Sequence, residues 1–161
     1  MHRGSRRVVP LLAAMLVTAG GTSALANVQI VIGAATSASA GTVSAPISLK
    51  GASGASAVSG TQVDVLFPQP ALSAPSCTAA PGVPLAGTKL IVGAADTPPG
   101  EGRLRLLFMD VNQLAAIGDG LLATCTFTAA PGSYGLSGMS PAASDRTGND
   151  LGATICTGGC C

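Results

Sequence analysis

Short runs in which apolar residues alternate with polar or small ones, each soon interrupted by Gly, Pro, Ser or Asp, occur along most of this chain and point to strands. Val28, Ile30 and Ile32 share one face of a first run that ends at Gly33. Val43, Ala45, Ile47 and Leu49 do the same in a second, bounded by Gly41 and Gly51. A third run, Thr61 to Phe67, aims Val63, Val65 and Phe67 one way and Gln62, Asp64 and Leu66 the other, and Pro68 and Pro70 end it because proline cannot carry a ladder onward. Lys89 to Val92 and Arg103 to Met109 follow, the latter with Leu104, Leu106 and Phe108 inward and Arg105, Leu107 and Met109 outward. Leu121 to Ala129 places Leu121, Ala123, Cys125 and Phe127 on one face, Tyr134 to Met139 makes a further strand, and Ala153 to Cys156 a short last one. Between them only Asn112 to Ala116 has room for a helical turn. With no crossover helices, the pattern predicts an all-β fold: an antiparallel β-sandwich, a jelly roll of about 8–9 strands.

The first 26 residues carry a different signal. Arg3, Arg6 and Arg7 precede an apolar stretch from Val8 to Ala19, and Ala24-Leu25-Ala26 supplies a small-x-small cleavage pattern, so residues 1–26 read as a signal peptide and 27–161 as one exported domain. The apolar stretch contains Pro10 and falls short of the roughly 20 residues that span a bilayer, so no membrane span is expected. Without the signal, Lys50, Lys89, Arg103, Arg105 and Arg146 face seven acids, a net charge of −2 that offers nothing to nucleic acid. All five cysteines lie beyond the cleavage site, where an oxidising compartment favours disulfides. Cys125 shares the inward face with Phe127 and Cys77 follows the third strand, so Cys77 and Cys125 are the expected pair. An odd count leaves at least one thiol free or joined to another chain. Cys156, Cys160 and Cys161 read as disulfide partners rather than metal ligands, because no histidine completes a site.

Catalytic chemistry has little to draw on. His2 is the only histidine and leaves with the signal, so no Ser-His or Cys-His pair can form. The acids are scattered among turn residues, and the group Asp145, Asn149 and Asp150 around Gly148 lacks the alternating carboxylates and closing Glu of an EF-hand loop, which leaves an Asx turn. The chain therefore reads as a non-enzyme that needs no cofactor and no metal. Direct carbohydrate binding is an alternative role, weakened by the absence of Trp and the presence of a single Tyr, since sugar rings stack on exposed aromatic faces. A structural surface subunit, joined through Cys160 or Cys161, is another.

Several segments, taken in order, resemble the bacterial cohesin family. They are Val28 to Gly33, Gly41 to Leu49, Gly60-Thr61-Gln62-Val63-Asp64-Val65-Leu66-Phe67, Ile117-Gly118-Asp119-Gly120-Leu121-Leu122-Ala123 with Thr126-Phe127-Thr128, and Ser144 to Asn149. The resemblance covers nearly all of residues 27–161 and implies a nine-stranded jelly roll that binds dockerin modules in extracellular polysaccharide-degrading or cell-surface assemblies. Two places depart from the family pattern. Phe67 leads into Pro68-Gln69-Pro70 rather than an aromatic-Asp-Pro turn, and the last strand gives way to Cys156-Thr157-Gly158-Gly159-Cys160-Cys161. In cohesins a flat sheet face grips the partner, which here implies a partner-binding set of Gln62, Asp64, Leu66, Arg105, Leu107 and Met109. Three apolar side chains on a face that should be solvated suggest a patch meant to be covered. The same face could instead be closed by the protein's own loops, with Asp64 and Arg105 a cross-strand pair.

Overall fold

A computed structural model describes residues 28–37, 41–52 and 57–158. The signal segment, Cys160 and Cys161 lie outside the described residues. Strands β1 (Gln29–Ile32), β2 (Ala35–Ser37), β3 (Gly41–Lys50), β4 (Gly60–Pro68), β5 (Ser73–Ala79), β6 (Leu85–Ile91), β7 (Glu101–Met109), β8 (Gly120–Ala129), β9 (Gly132–Tyr134), β10 (Ser137–Ser144) and β11 (Thr154–Thr157) follow one another in the chain. They form two sheets packed as a sandwich. One has the order β10-β4-β7-β6, antiparallel throughout. The other runs β5-β8-β3, and beyond β3 lies a position shared by β1 and β2, flanked in turn by β11 on β1 and β9 on β2. Among the described strands only the β1–β11 pair is parallel. Counting the shared positions once gives the jelly roll that the alternation predicts.

The break between β1 and β2 has a local cause. Pro46 lies in β3, paired with Thr124 of β8, and its carbonyl accepts a hydrogen bond of 2.9 Å from Gly33 N. Its nitrogen points the same way and has no hydrogen to donate, so the neighbouring ladder lapses at Gly33 and Ala34 and resumes at Thr36 opposite Ser44. Glycine is required at the break, because a Cβ on Gly33 would stand 2.7 Å from the Pro46 ring.

The core lies between the sheets. Ile30, Ile32, Val43, Ala45, Ile47 and Leu49 meet Val63, Val65, Phe67, Leu104, Leu106 and Phe108, all buried. Phe67 and Phe127 span the layers with ring centroids 5.2 Å apart. Across β4 and β7 Phe67 lies directly opposite Gly102, where a Cβ would come within 2.2 Å of its ring. Gly102→Ala is accordingly expected to destabilise by about 2 kcal/mol in urea unfolding, an overpacking penalty; an unchanged midpoint would show that the ring can move aside.

Three sequence expectations are corrected, and one strand is added to them. Leu121 is 44% exposed while Leu122 is buried, because β8 bulges between the pairs Ile47–Ala123 and Ser48–Leu121 and so reverses its faces. The run Tyr134 to Met139 is not one strand: β9 ends at Tyr134 in one sheet and β10 starts at Ser137 in the other. The helical turn expected at Asn112 to Ala116 lies earlier: one turn closes from Leu114 N to Asp110 O, with the Asp110 carboxylate accepting from Asn112 N and Gln113 N, and it stops at Leu114, whose φ is +47°. Finally, Ser73 to Ala79 is the edge strand β5, hidden in the sequence by Pro75 and small polar residues. That strand places Cys77 directly opposite Cys125 and joins them in a disulfide, with Cα atoms 4.0 Å apart. Cys156 is disulfide-bonded as well.

Candidate functional site

The outer face of the β10-β4-β7-β6 sheet is set by the parity of its strands. With Val63, Val65 and Phe67 committed to the core, Gln62, Asp64 and Leu66 must point away from it, as must Arg103, Arg105, Leu107 and Met109 of β7. Register brings these together in rows: Gln62 opposite Leu107, Asp64 opposite Arg105, Leu66 opposite Arg103. On the flanks Met139 of β10 lies beside Asp64, and Lys89 of β6 beside Arg105. All six residues of the implied partner-binding set therefore share one surface.

They do not share one environment. Asp64 is wholly buried and Leu66 is 7% exposed, whereas Gln62, Arg105, Leu107 and Met109 are half-buried. Asp64 is the hub of an ion network. Arg105 donates to its two oxygens through Nε and Nη2 at 2.7 and 2.9 Å, and Arg103 donates to Oδ2 through Nε at 2.8 Å and also through Nη2. The second guanidinium comes from the diagonal neighbour across the β4–β7 ladder. Arg103 in turn donates through Nη1 to Asp96 at 2.7 Å, which ties the β6–β7 connection onto the face. Burial pushes the Asp64 carboxyl up, but the hydrogen bonds from Arg105 and Arg103 outweigh it and hold the group below the usual carboxylate range. Asp64 is thus spent inside the molecule, as a cross-strand pair extended by Arg103. Sequence reading placed Arg105 outward but missed Arg103 and Asp96; the i, i+2 spacing of the two arginines opposite Asp64 was the available signal.

Next to the network the face turns apolar and concave. Leu107 and Met109 of β7, Gln62 of β4, Pro141 and Ala142 of β10, and Ala153 line a hollow of about 400 Å³. Its far wall is built by the segment after β10, which returns so that Ser144 bridges Asp150 and Leu151 N donates to Ala143 O. Asp145 shapes that return. Its Oδ1 accepts from Thr147 N at 2.8 Å, Thr147 Oγ1 at 2.7 Å and Asn149 N at 3.0 Å, and Oδ2 accepts from Asn149 Nδ2 at 2.9 Å, an Asx turn as expected. Hydrogen bonds from Thr147 and Asn149 draw its carboxyl far below the ordinary value. The β10 side of the hollow was illegible in sequence, since nothing local shows that Pro141 and Ala142 would lie beside Gln62.

No family model and no curated protein matches the chain. Solved structures do. The sixth cohesin of scaffoldin B from Acetivibrio cellulolyticus, solved in complex with a Cel5 dockerin, superposes with a TM-score of 0.59 at 20% identity over 82% of this chain and 98% of that one. The fold is that of a cohesin. The seventh ScaB type I cohesin of Pseudobacteroides cellulosolvens gives a TM-score of 0.59 at 18% identity, covering 81% of this chain and 87% of that one. A non-cellulosomal cohesin from the archaeon Archaeoglobus fulgidus gives 0.52 at 15%, covering 81% and 86%. The cohesin-like sandwich thus matches 86–98% of those chains at 15–20% identity.

Proposed function

We propose that this chain is an exported, non-catalytic cohesin-like module whose outer β10-β4-β7-β6 face docks a protein partner of the dockerin type. The observation that carries the reading is the hollow between Leu107, Met109, Pro141 and Ala142, a largely apolar recess with Thr61, Ser144 and Asp150 at its margin, on the outer face of the sheet. Cohesins of the same fold were solved with dockerins bound, which supports the partner class. Export is supported by the 1–26 signal pattern and by the Cys77–Cys125 disulfide, a bond suited to an oxidising compartment. The binding residues of this reading are Gln62, Arg105, Leu107 and Met109; Asp64 orients Arg105, and Leu66, opposite Arg103 and 7% exposed, lies at the covered end of the face. Direct sugar binding finds less support, because Phe67, Phe108 and Phe127 are buried and Tyr134 is half-buried, its hydroxyl donating to Ala130 O at 3.1 Å.

Leu107→Asp is expected to weaken binding of a dockerin-type partner by at least ~2 kcal/mol in calorimetry while leaving the fold intact, as loss of an interface anchor would. Unfolding of this variant would return Leu107 to the core and remove the face. Insoluble polysaccharides assayed in parallel should not retain the protein; retention would favour the carbohydrate reading. N-terminal sequencing of the secreted protein is expected to begin at Asn27.

A further inference from the structure

We propose that the partner of this face is acidic, and that it presents a carboxylate beside an aliphatic side chain, the first against Arg105 and Lys89 and the second in the hollow at Leu107 and Met109. The inference rests on the docking face described above and adds the chemistry of what docks there.

The charge arrangement carries it. The domain as a whole is acidic, yet this sheet face collects three cations: Arg103 and Arg105, two residues apart on β7, and Lys89, opposite Arg105 on β6. Two carboxylates pair with them, whereas Glu101 on the same side of β7 and Asp150 in the wall of the hollow pair with none of the three. Asp64 is fully buried beneath the guanidinium groups and saturated by them, so its charge is neutralised within the face. Asp96 sits at the loop side and is taken by Arg103 Nη1 at 2.7 Å. Arg103 is thereby consumed, its side chain only 5% exposed. Arg105 is different. Its Nε and Nη2 hold Asp64, but its side chain is 36% exposed, and Nη1 donates to no acceptor among the described residues. Lys89, its direct neighbour on β6, is exposed and forms no ion pair among the described residues. The outward aspect of this row is therefore cationic, with one guanidinium already locked in direction by Asp64, and a pre-oriented guanidinium loses little freedom on meeting a carboxylate.

Geometry adds the second half. Arg105, Leu107 and Met109 follow one another on the same side of β7, so cation and apolar wall are spaced by two-residue steps of roughly 7 Å. A partner that filled the hollow alone would bring its own surface over Arg105 and Lys89. A basic or neutral surface would leave these charges desolvated without a counter-charge, whereas an Asp or Glu adjacent to the aliphatic anchor satisfies them.

The test uses the full-sequence protein and, as probe, a displayed library of dockerin modules randomised at their surface positions, selected at low salt. The expected result is enrichment of Asp or Glu next to Leu, Ile or Met. The selected modules should lose about tenfold in affinity against Lys89→Glu, weaken with added salt, and regain affinity for Lys89→Glu when their enriched acid is changed to Lys. Selection of modules without acids that ignore Lys89→Glu but are lost on Leu107→Asp would overturn the acidic partner and leave the docking face standing. Modules indifferent to both substitutions, or no selected modules at all, would overturn the face and with it this inference.

Discussion

Asp64→Ala is expected to cost about 3 kcal/mol of unfolding free energy, because it strands one buried guanidinium, Arg103, and releases a second, Arg105, at the centre of the sheet. The melting temperature should fall on the order of 10 °C. Asp96→Ala provides the comparison: its side chain is 61% exposed, so solvent screens its ion pair with Arg103 and the loss should be much smaller. Urea unfolding of both variants checks the contrast, and equal effects would show that Asp64 is no anchor. The same carboxylate predicts a pH dependence. Its folded pKa is depressed below the ordinary 3.8, so its contribution is fully present above that value and is lost as pH falls through the lower folded pKa. As pH falls below the ordinary 3.8 the wild type should therefore lose stability faster than Asp64→Ala, which lacks the titrating group.

Removal of the Cys77–Cys125 disulfide is expected to cost about 4 kcal/mol, the chain-entropy value for a cross-link between residues 48 apart in sequence. The double substitution Cys77→Ala with Cys125→Ala isolates this bond from the one at Cys156, which a reductant would also break. The bridge pins β5 to β8, and β5 is an edge strand of small, mostly exposed residues that contributes little to the core by itself. Loss of the bond should consequently free β5 first, visible as hydrogen exchange in Ser73–Ala79 ahead of β8. Uniform exchange across both strands, with no change in the unfolding midpoint, would show that the ladder alone secures β5.

Most of the strands, the facing of β4 and β7 and the disulfide pair were legible in local sequence. Alternation of Val63, Val65 and Phe67 with Gln62, Asp64 and Leu66 determines which residues leave the core wherever β4 is placed, since successive side chains on a strand take opposite faces. The same holds for Leu104, Leu106 and Phe108 against Arg105, Leu107 and Met109. What failed was anything decided by a partner strand. The bulge that exposes Leu121 and buries Leu122 arises from pairing with β3, and the lapse between β1 and β2 depends on Pro46 of a strand across the ladder. The division of Tyr134 to Met139 between two sheets is set by which neighbours each half meets. The site divides in the same way. Alternation by itself determined that Gln62, Asp64 and Leu66 share one side of β4 and Arg105, Leu107 and Met109 one side of β7, and the cohesin resemblance implied that the two sets form one face. Only the tertiary structure decided that Asp64 would be withdrawn beneath Arg103 and Arg105 while Leu107 and Met109 were left beside a hollow, because burial depends on the β4–β7 register and on Pro141, Ala142 and Ala153 brought in from distant parts of the chain.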